Sequence, residues 1–315
     1  MSSIGGYFGM ECGSGSTPHP LAMALNLGRH ALAFAVRSRG YRRLYVPRYT
    51  CDVLGGPLKS NGVELVFYGL DDSMDPLFDP QGLDEGEGFL YTNYFGLKDP
   101  TVARIAAAGR NLIVDNAQSF YAPPLPGVDT FYSCRKFFGT PDGAYLYSSS
   151  GSIKDLERDR SYDRLEHLLR GVDQGTEEGY PYFLAHEEAL DRIPMRAMSH
   201  LTTAMMAGID HSEVRARRRS NRDHLHRELK DRNLLPIDPA GAEVPMDYPF
   251  LTEDRALRER LLAHRIYSPR YWPGLLGPVE AGTAEQRFVD SIVHLPIDQR
   301  YGPEHMDRVL EVVLA

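Results

Sequence analysis

Residues 111–147 read NLIVDNAQSFYAPPLPGVDTFYSCRKFFGTPDGAYLY, and this stretch decides the fold. Its first apolar run ends directly in Asp115, and a second apolar run closes the stretch at residues 144–147. Short β-rich runs that alternate with helical spacing predict βαβ units and a parallel sheet. Such a sheet binds ligands at the carboxyl ends of its strands. Asp115 is therefore expected either at a ligand site or as the N-cap of a following helix.

The same alternation continues outward from this stretch. Besides the runs at residues 112–114 and 144–147, strand-like runs occupy residues 44–46, 63–68 and 88–92. Helical spacing occupies residues 28–39, 52–60 and 101–108. After Gly151, three helical stretches are expected at residues 153–169, 183–192 and 202–230. Strand-like runs follow near residues 246–251, 265–267 and 291–294, and a last helix begins at Pro303. We predict an α/β fold with a mostly parallel central sheet and helices on both faces, followed by a small C-terminal α+β domain. The predicted domains are residues 1–210 and 211–315.

Composition limits the class of protein. The chain has 315 residues, 25% charged and 42% hydrophobic, which is typical of a globular protein of about two domains. A net charge of −8 gives no overall attraction to nucleic acid or to an anionic membrane. Three cysteines (Cys12, Cys51 and Cys134) suit neither a disulfide framework nor a zinc ribbon. We expect a cytoplasmic protein with no nucleic-acid partner, no membrane association and no metal.

Lys136 is the candidate nucleophile, because it precedes Phe137 and Phe138. Aromatic neighbours are expected to desolvate the amine partly, which favours its neutral, nucleophilic form and a Schiff base. The alternative is a surface lysine whose stem covers apolar neighbours.

Gly28 and Arg29 open a predicted helix, where backbone N–H groups and the helix dipole favour a phosphate. An ordinary helix start is the alternative, and the Ser133 hydroxyl is a further candidate phosphate ligand. A Schiff-base lysine, an aspartate for a pyridinium nitrogen and a phosphate cradle are together the protein parts that hold pyridoxal 5′-phosphate. The sequence therefore predicts this cofactor.

Beyond these candidate residues, nearly the whole chain resembles the DegT/DnrJ/StrS family of sugar aminotransferases, which have the fold-type-I architecture of pyridoxal-phosphate enzymes. The matching segments are Asn26-Leu27-Gly28-Arg29-His30-Ala31-Leu32, Val46-Pro47-Arg48-Tyr49-Thr50, Asn93-Tyr94-Phe95-Gly96, Val114-Asp115-Asn116-Ala117-Gln118, Asp142-Gly143-Ala144 and Leu295-Pro296-Ile297-Asp298.

The resemblance implies a role for each matching residue. Lys136 would form the Schiff base and carry the proton, and Asp115 would pair with the pyridinium nitrogen. Gln118 would contact the ring face or its 3′-oxygen. The phosphate would be held by three residues: Gly28, Arg29 and Ser133. The family works as homodimers with the active site at the subunit interface, so a homodimer is implied.

Two departures from the family pattern bear on the site. The residue after Thr50 is often an aromatic that stacks on the cofactor ring, but here it is Cys51, so Tyr49 is predicted to substitute. The family's asparagine that reaches the partner's phosphate has no counterpart around residues 194–196.

The implied reaction moves an amino group from glutamate or glutamine to a keto group, expected on a nucleotide-linked sugar; both substrates are small molecules. Two alternatives stay open. One is a pyridoxal-phosphate-dependent dehydratase or lyase, or an aminotransferase acting on a non-sugar or carrier-bound ketone. The other is a non-catalytic relative that binds a partner enzyme.

Five arginines crowd residues 215–222 and allow two interpretations. They could clamp a nucleotide diphosphate, because arginine binds phosphate bidentately. They could equally form a solvated helix face with acidic partners such as Glu213 and Asp223.

Overall fold

A seven-stranded sheet forms the centre of the computed structural model, which describes residues 6–239, 243–275 and 282–315. Within these residues the sheet contains β1 (Met23–Leu25), β2 (Arg43–Pro47), β3 (Glu64–Tyr68), β4 (Glu87–Thr92), β5 (Leu112–Asp115), β6 (Asp129–Ser133) and β7 (Ala144–Tyr147). The strand order is β1-β7-β6-β5-β4-β2-β3. Among the described strands of this sheet, β7 alone runs in the opposite direction to the other six, so the predicted mostly parallel sheet is confirmed.

Helices cover both faces of this sheet, and the strands explain why. The first three are α1 (Gly28–Arg39), α2 (Gly55–Ser60) and α3 (Asp99–Ala108). Successive strand side chains point to opposite faces. Leu90 and Ile113 pack with residues of α1 on one face, whereas Tyr91 and Val114 pack with residues of α3 on the other. Since both faces are buried, the strands are nearly continuous apolar runs.

Four helices follow β7: α4 (Glu166–Asp173), α5 (Thr176–Leu190), α6 (His200–Ala207) and α7 (His211–Leu229). The helix predicted over residues 153–169 is wrong in its first half. There the Asp159 N–H donates to the carbonyl of Ala197, and its carboxylate accepts from the Asn26 amide, which fix a non-helical segment. The helix predicted over residues 202–230 is two helices, because the Asp210 side chain caps a new start at His211.

A two-stranded antiparallel sheet organises the C-terminal part. It consists of β8 (Tyr248–Leu251) and β9 (Ile292–Leu295), accompanied by α8 (Leu257–Ala263), α9 (Ala284–Ser291) and α10 (Pro303–Leu314). One apolar cluster unites Leu225, Tyr248 and Met306 within residues 211–315. The strand predicted at residues 265–267 does not form, because Arg265 has a left-handed φ of 57°. Among the described residues, no helix is long and apolar enough to cross a membrane.

Candidate active site

The candidate site lies at the carboxyl edge of the sheet. Asp115 is the last residue of β5 and Ser133 the last residue of β6, two adjacent parallel strands. A 3₁₀ turn (Cys134–Lys136) follows β6 at once and carries Lys136. Gly28 begins α1 at the same edge: a Cβ placed on it would lie 3.9 Å from the Ser133 Cβ. The topology thus gathers residues that lie up to 108 positions apart in the numbering, Gly28 to Lys136.

Asp115 is a buried carboxyl with one backbone partner. Its Oδ1 accepts a hydrogen bond of 2.8 Å from the N–H of Ala117, which closes a tight turn. No helix begins there, so the N-cap interpretation of Asp115 is wrong. Burial raises the pKa of Asp115 to about 6, while the Ala117 hydrogen bond and the charge of Lys136 lower it. A buried carboxyl of this kind is suited to pair with a cation.

Lys136 is exposed to solvent, so its expected desolvation by neighbouring aromatics is wrong in the single chain. Phe137 and Phe138 are buried against Phe120 and other residues of a separate apolar cluster. Successive side chains of a 3₁₀ turn point in different directions, so the rings do not cover the amine. The Lys136 charge nevertheless acts on both Asp115 and Cys51.

The start of α1 has no side-chain cap. Leu27 precedes the helix and offers no hydrogen-bonding side chain to the first N–H groups. The added Cβ on Gly28 would also meet the ring of Phe131, at 3.7 Å, which is ordinary contact. Ser133 on the same face of β6 is mostly buried. A helix start with uncapped N–H groups and a neighbouring hydroxyl is suited to an anion.

The two remaining predicted ligands are engaged in the chain itself. The Arg29 guanidinium forms an ion pair with Asp191. Gln118 is buried, and its Oε1 accepts a 3.0 Å hydrogen bond from the N–H of Phe95. Phe95 has a positive φ of 57°, and this bond holds the turn after β4. Contact of Gln118 with a cofactor ring stays a prediction.

Tyr49 points into the core. Its ring lies 4.7 Å from that of Trp272 and 5.6 Å from that of Tyr94, centroid to centroid, and it is fully buried. The position predicted for it at the cofactor ring does not agree with this packing. Two residues on, Cys51 faces the site: burial raises its pKa, the Lys136 charge lowers it and the Asp115 charge raises it.

Arg135 is the residue that sequence reasoning missed. It directly precedes Lys136 in the sequence, and its guanidinium is largely buried and forms an ion pair with Glu187 of α5. The sequence signal for a basic partner such as Arg135 was a pair of carboxylates four residues apart, Glu187 and Asp191, at the end of a predicted helix. Such a spacing puts both on one helix face.

The arginines of α7 divide into two groups. Arg215 and Arg219 are partly exposed and share Glu243, and Arg217 pairs with Glu213 on the same helix, as the solvated-face interpretation expects. Arg218 fits neither interpretation. It is buried, donates 2.8 Å to the carbonyl of Met246, and stacks over the ring of Phe137 at 4.4 Å. It therefore ties α7 to the segment that follows Lys136. Within the part of the chain that the structure describes, no group of three or more His, Cys, Asp and Glu side chains could hold a metal ion.

No protein-family profile matches the sequence, and no curated protein is significantly similar to it. Solved structures do share its fold. A DegT/DnrJ/EryC1/StrS aminotransferase from Brucella abortus superposes with a TM-score of 0.62 at 19% identity, covering 93% of this chain and 85% of that one. The sugar aminotransferase CalS13 from Micromonospora echinospora gives 0.58 at 18%, covering 94% and 87%. The Escherichia coli GDP-4-keto-6-deoxy-D-mannose-3-dehydratase, solved with hydrated pyridoxal phosphate, gives 0.60 at 14%, covering 92% and 87%.

These superpositions define the class of fold. The chain has the fold-type-I architecture of pyridoxal-phosphate enzymes, as predicted. More narrowly, the Brucella abortus neighbour carries the name of the DegT/DnrJ/EryC1/StrS group, which the sequence resembles.

Proposed function

We propose that this protein is a pyridoxal-phosphate-dependent aminotransferase. Its amino donor is glutamate or glutamine, and its acceptor is a keto group on a nucleotide-linked sugar. The neighbours that carry an aminotransferase name support the reaction class, and CalS13 is named as a sugar aminotransferase.

One observation carries the proposal: the Lys136 amine and the buried Asp115 carboxyl lie together at the ends of adjacent strands, beside an uncapped helix start. These residues fit the cofactor. Asp115 is a buried anion that lacks a full counter-charge, which a protonated ring nitrogen would provide. Gly28 and Ser133 lie side by side, so the uncapped N–H groups at the start of α1 and the Ser133 hydroxyl are available to the same phosphate. Lys136 is an accessible amine for the aldehyde.

The residues would divide the work as follows. When bound, the cofactor supplies an electron sink for a carbanion next to the amino group. Asp115 holds a proton on the ring nitrogen and so keeps the ring electron-poor. The Lys136 Nζ takes the proton from the substrate carbon and returns it at a neighbouring atom. The Ser133 hydroxyl and the N–H groups at the start of α1 bind the phosphate. Gln118 keeps the turn at Phe95 in place.

A dehydratase is the second candidate, because the Escherichia coli neighbour is one and has the same fold. The two reactions differ in the fate of the keto substrate: an aminotransferase leaves an amino group on the carbonyl carbon, whereas a dehydratase removes a hydroxyl group as water. An aminotransferase accepts the amino group of glutamate in the absence of any ketone, which converts the bound cofactor to its amine form. A non-catalytic relative would do neither.

Two further features belong to the proposal. A homodimer would close the site over the exposed Lys136, which suits an amine that must act away from water. A cytoplasmic location is supported by the cysteines: Cys12, Cys51 and Cys134 are all unpaired, as in proteins of reducing compartments.

The test is the visible absorption spectrum of the purified protein with pyridoxal phosphate, before and after L-glutamate. We expect a lysine-bound chromophore that bleaches with glutamate, and no such chromophore in Lys136→Ala. Lys154→Ala removes another exposed lysine and should behave as the parent. A chromophore indifferent to both glutamate and glutamine would overturn these two amino donors and favour a lyase or another donor. A protein that stays colourless would overturn the enzymatic proposal.

A further inference from the structure

Two carboxylates at the C-terminal end of α5 form ion pairs with two arginines that flank the candidate phosphate site. Glu187 pairs with Arg135, and Asp191, just past the helix end, pairs with Arg29. The two acids are four residues apart and therefore lie on the same face. Arg29 directly follows Gly28, and Arg135 lies two residues after Ser133. Both arginines are thus close in sequence to residues that we assign to the phosphate site.

The two guanidiniums are close to each other and poorly hydrated. Their side chains are 11% and 16% exposed for Arg29 and Arg135. Burial lowers the pKa of Arg135 to about 10, and the charge of Arg29 lowers it further in the same direction. Two neighbouring buried cations require anions, since an uncompensated buried charge is costly. In this structure Glu187 and Asp191 pair with the two arginines, and the charge of Asp142 also raises the pKa of Arg135.

His186 is an independent sign of a missing ligand. It is 7% exposed, and neither of its ring nitrogens has a hydrogen-bond partner. The charge of Arg135 contributes to a lowered pKa of the His186 ring, after burial, so the two groups are near each other. Buried polar atoms are normally satisfied. An orphaned ring N–H beside a buried guanidinium is what an anion site offers.

We propose that Arg135, together with Arg29, forms the cationic wall of the cofactor's phosphate site, and that Glu187 and Asp191 occupy this wall until the phosphate binds. The proposal rests on the proposed function. It adds Arg135 to the phosphate ligands and makes α5 an internal competitor for them. It also supplies hydrogen-bond donors to the phosphate in a chain that lacks the family's asparagine near residues 194–196.

The exchange is favourable for a physical reason. Guanidinium binds a phosphate dianion bidentately and more strongly than a single carboxylate. Glu187 and Asp191 are 40% and 61% exposed, so water can solvate them once they are released. Arg135 is largely buried and has no comparable access to water. The carboxylates therefore leave and the arginines stay.

The test measures the affinity of the full-length protein for pyridoxal phosphate and for pyridoxal, which lacks the phosphate. Arg135→Gln should lower the affinity for pyridoxal phosphate by about tenfold or more, which is the usual loss for a charge-assisted hydrogen bond. Its affinity for pyridoxal should not change. Glu187→Gln should raise the affinity for pyridoxal phosphate several-fold, because it removes the carboxylate that competes for Arg135. Its affinity for pyridoxal should also stay constant.

A matched control lies one residue along the helix. Glu188 pairs with Arg192 on the exposed side of α5. Glu188→Gln changes the helix charge by the same amount without touching Arg135, so its affinity for pyridoxal phosphate should equal that of the parent. Thermal melting of each variant shows whether it is folded, and the Glu187→Gln result decides the proposal even where Arg135→Gln is unfolded.

The outcomes separate the two proposals. A parent that binds neither aldehyde overturns the proposed function. A parent that binds both, with Arg135→Gln and Glu187→Gln unchanged toward pyridoxal phosphate, overturns this inference alone. The anion could instead come from a substrate phosphate. In that case uridine diphosphate, added as a probe, would lose affinity in Arg135→Gln while pyridoxal phosphate would not, and that result also overturns the inference.

Discussion

Asp115 and Lys136, at the ends of adjacent parallel strands, act on each other through their charges. Burial raises the pKa of the Asp115 carboxyl to about 6, and the Lys136 ammonium opposes that rise. The amine is exposed while the carboxyl is buried, so the compensation is partial. Asp115 is thus kept at a cost to the fold, as residues at active sites often are, because a cationic ligand restores the balance.

Replacing Asp115 with Asn should therefore stabilise the cofactor-free protein and abolish its function. The unfolded carboxyl ionises near pH 3.9, whereas the native one ionises near pH 6, so native stability falls as the pH rises through this window. The Asn side chain still accepts from the Ala117 N–H and escapes this cost. At pH 8 we expect Asp115→Asn to be more stable than the parent by up to ~3 kcal/mol.

Denaturant unfolding of the cofactor-free parent and variant at pH 5 and pH 8 measures this effect. The advantage of Asp115→Asn should be smaller at pH 5 than at pH 8. Asp52→Asn serves as a control, because Asp52 is an exposed carboxylate next to Cys51 and its replacement relieves no burial cost. An equal advantage at both pH values would contradict the assigned burial cost.

The sequence predicted those features that depend on neighbours along the chain. Leu112 to Val114 form a strand because they are consecutive apolar residues, and Asp115 terminates it in the predicted place. Strands β1 and β6 were not predicted: β1 has only three residues and pairs with β7 over a long range, and polar residues interrupt the apolar pattern of β6. The directions of Lys136 and Tyr49 depend on turn geometry and on contacts with Trp272, and no local pattern reveals them.

Tyr49 and Tyr94 provide a matched pair of substitutions with opposite effects. The Tyr94 hydroxyl donates a 2.8 Å hydrogen bond to the carbonyl of Tyr49, whereas the buried hydroxyl of Tyr49 has no partner. Tyr94→Phe should destabilise the protein by ~1 kcal/mol, and Tyr49→Phe should stabilise it by about as much. Denaturant midpoints give both values. Tyr49→Phe should also leave the affinity for pyridoxal phosphate unchanged. A marked loss of affinity would show that Tyr49 contacts the cofactor.

Arg218 should matter for stability far more than its neighbour Arg219. Arg218→Leu leaves the Met246 carbonyl and the Gln299 side chain without their buried donor, and should cost about 3 kcal/mol or more. Arg219 is partly exposed and pairs with Glu243, so Arg219→Leu should cost less than ~1 kcal/mol. Unfolding of the two variants under the same conditions compares them directly. Similar costs would show that Arg218 does not link α7 to the segment after Lys136.

The three cysteines should report on the cofactor site through their alkylation rates. Cys12 is exposed, Cys51 is partly buried and Cys134 is buried. Only the thiolate reacts, and burial raises the pKa of both Cys51 and Cys134. Iodoacetamide at pH 8, followed by peptide mass spectrometry, should label Cys12 first, Cys51 slowly and Cys134 last. Since Cys51 faces Asp115 and Lys136, pyridoxal phosphate should slow the labelling of Cys51 and leave that of Cys12 unchanged. Equal rates at Cys51 with and without pyridoxal phosphate, in a protein that binds it, would place the cofactor away from this thiol.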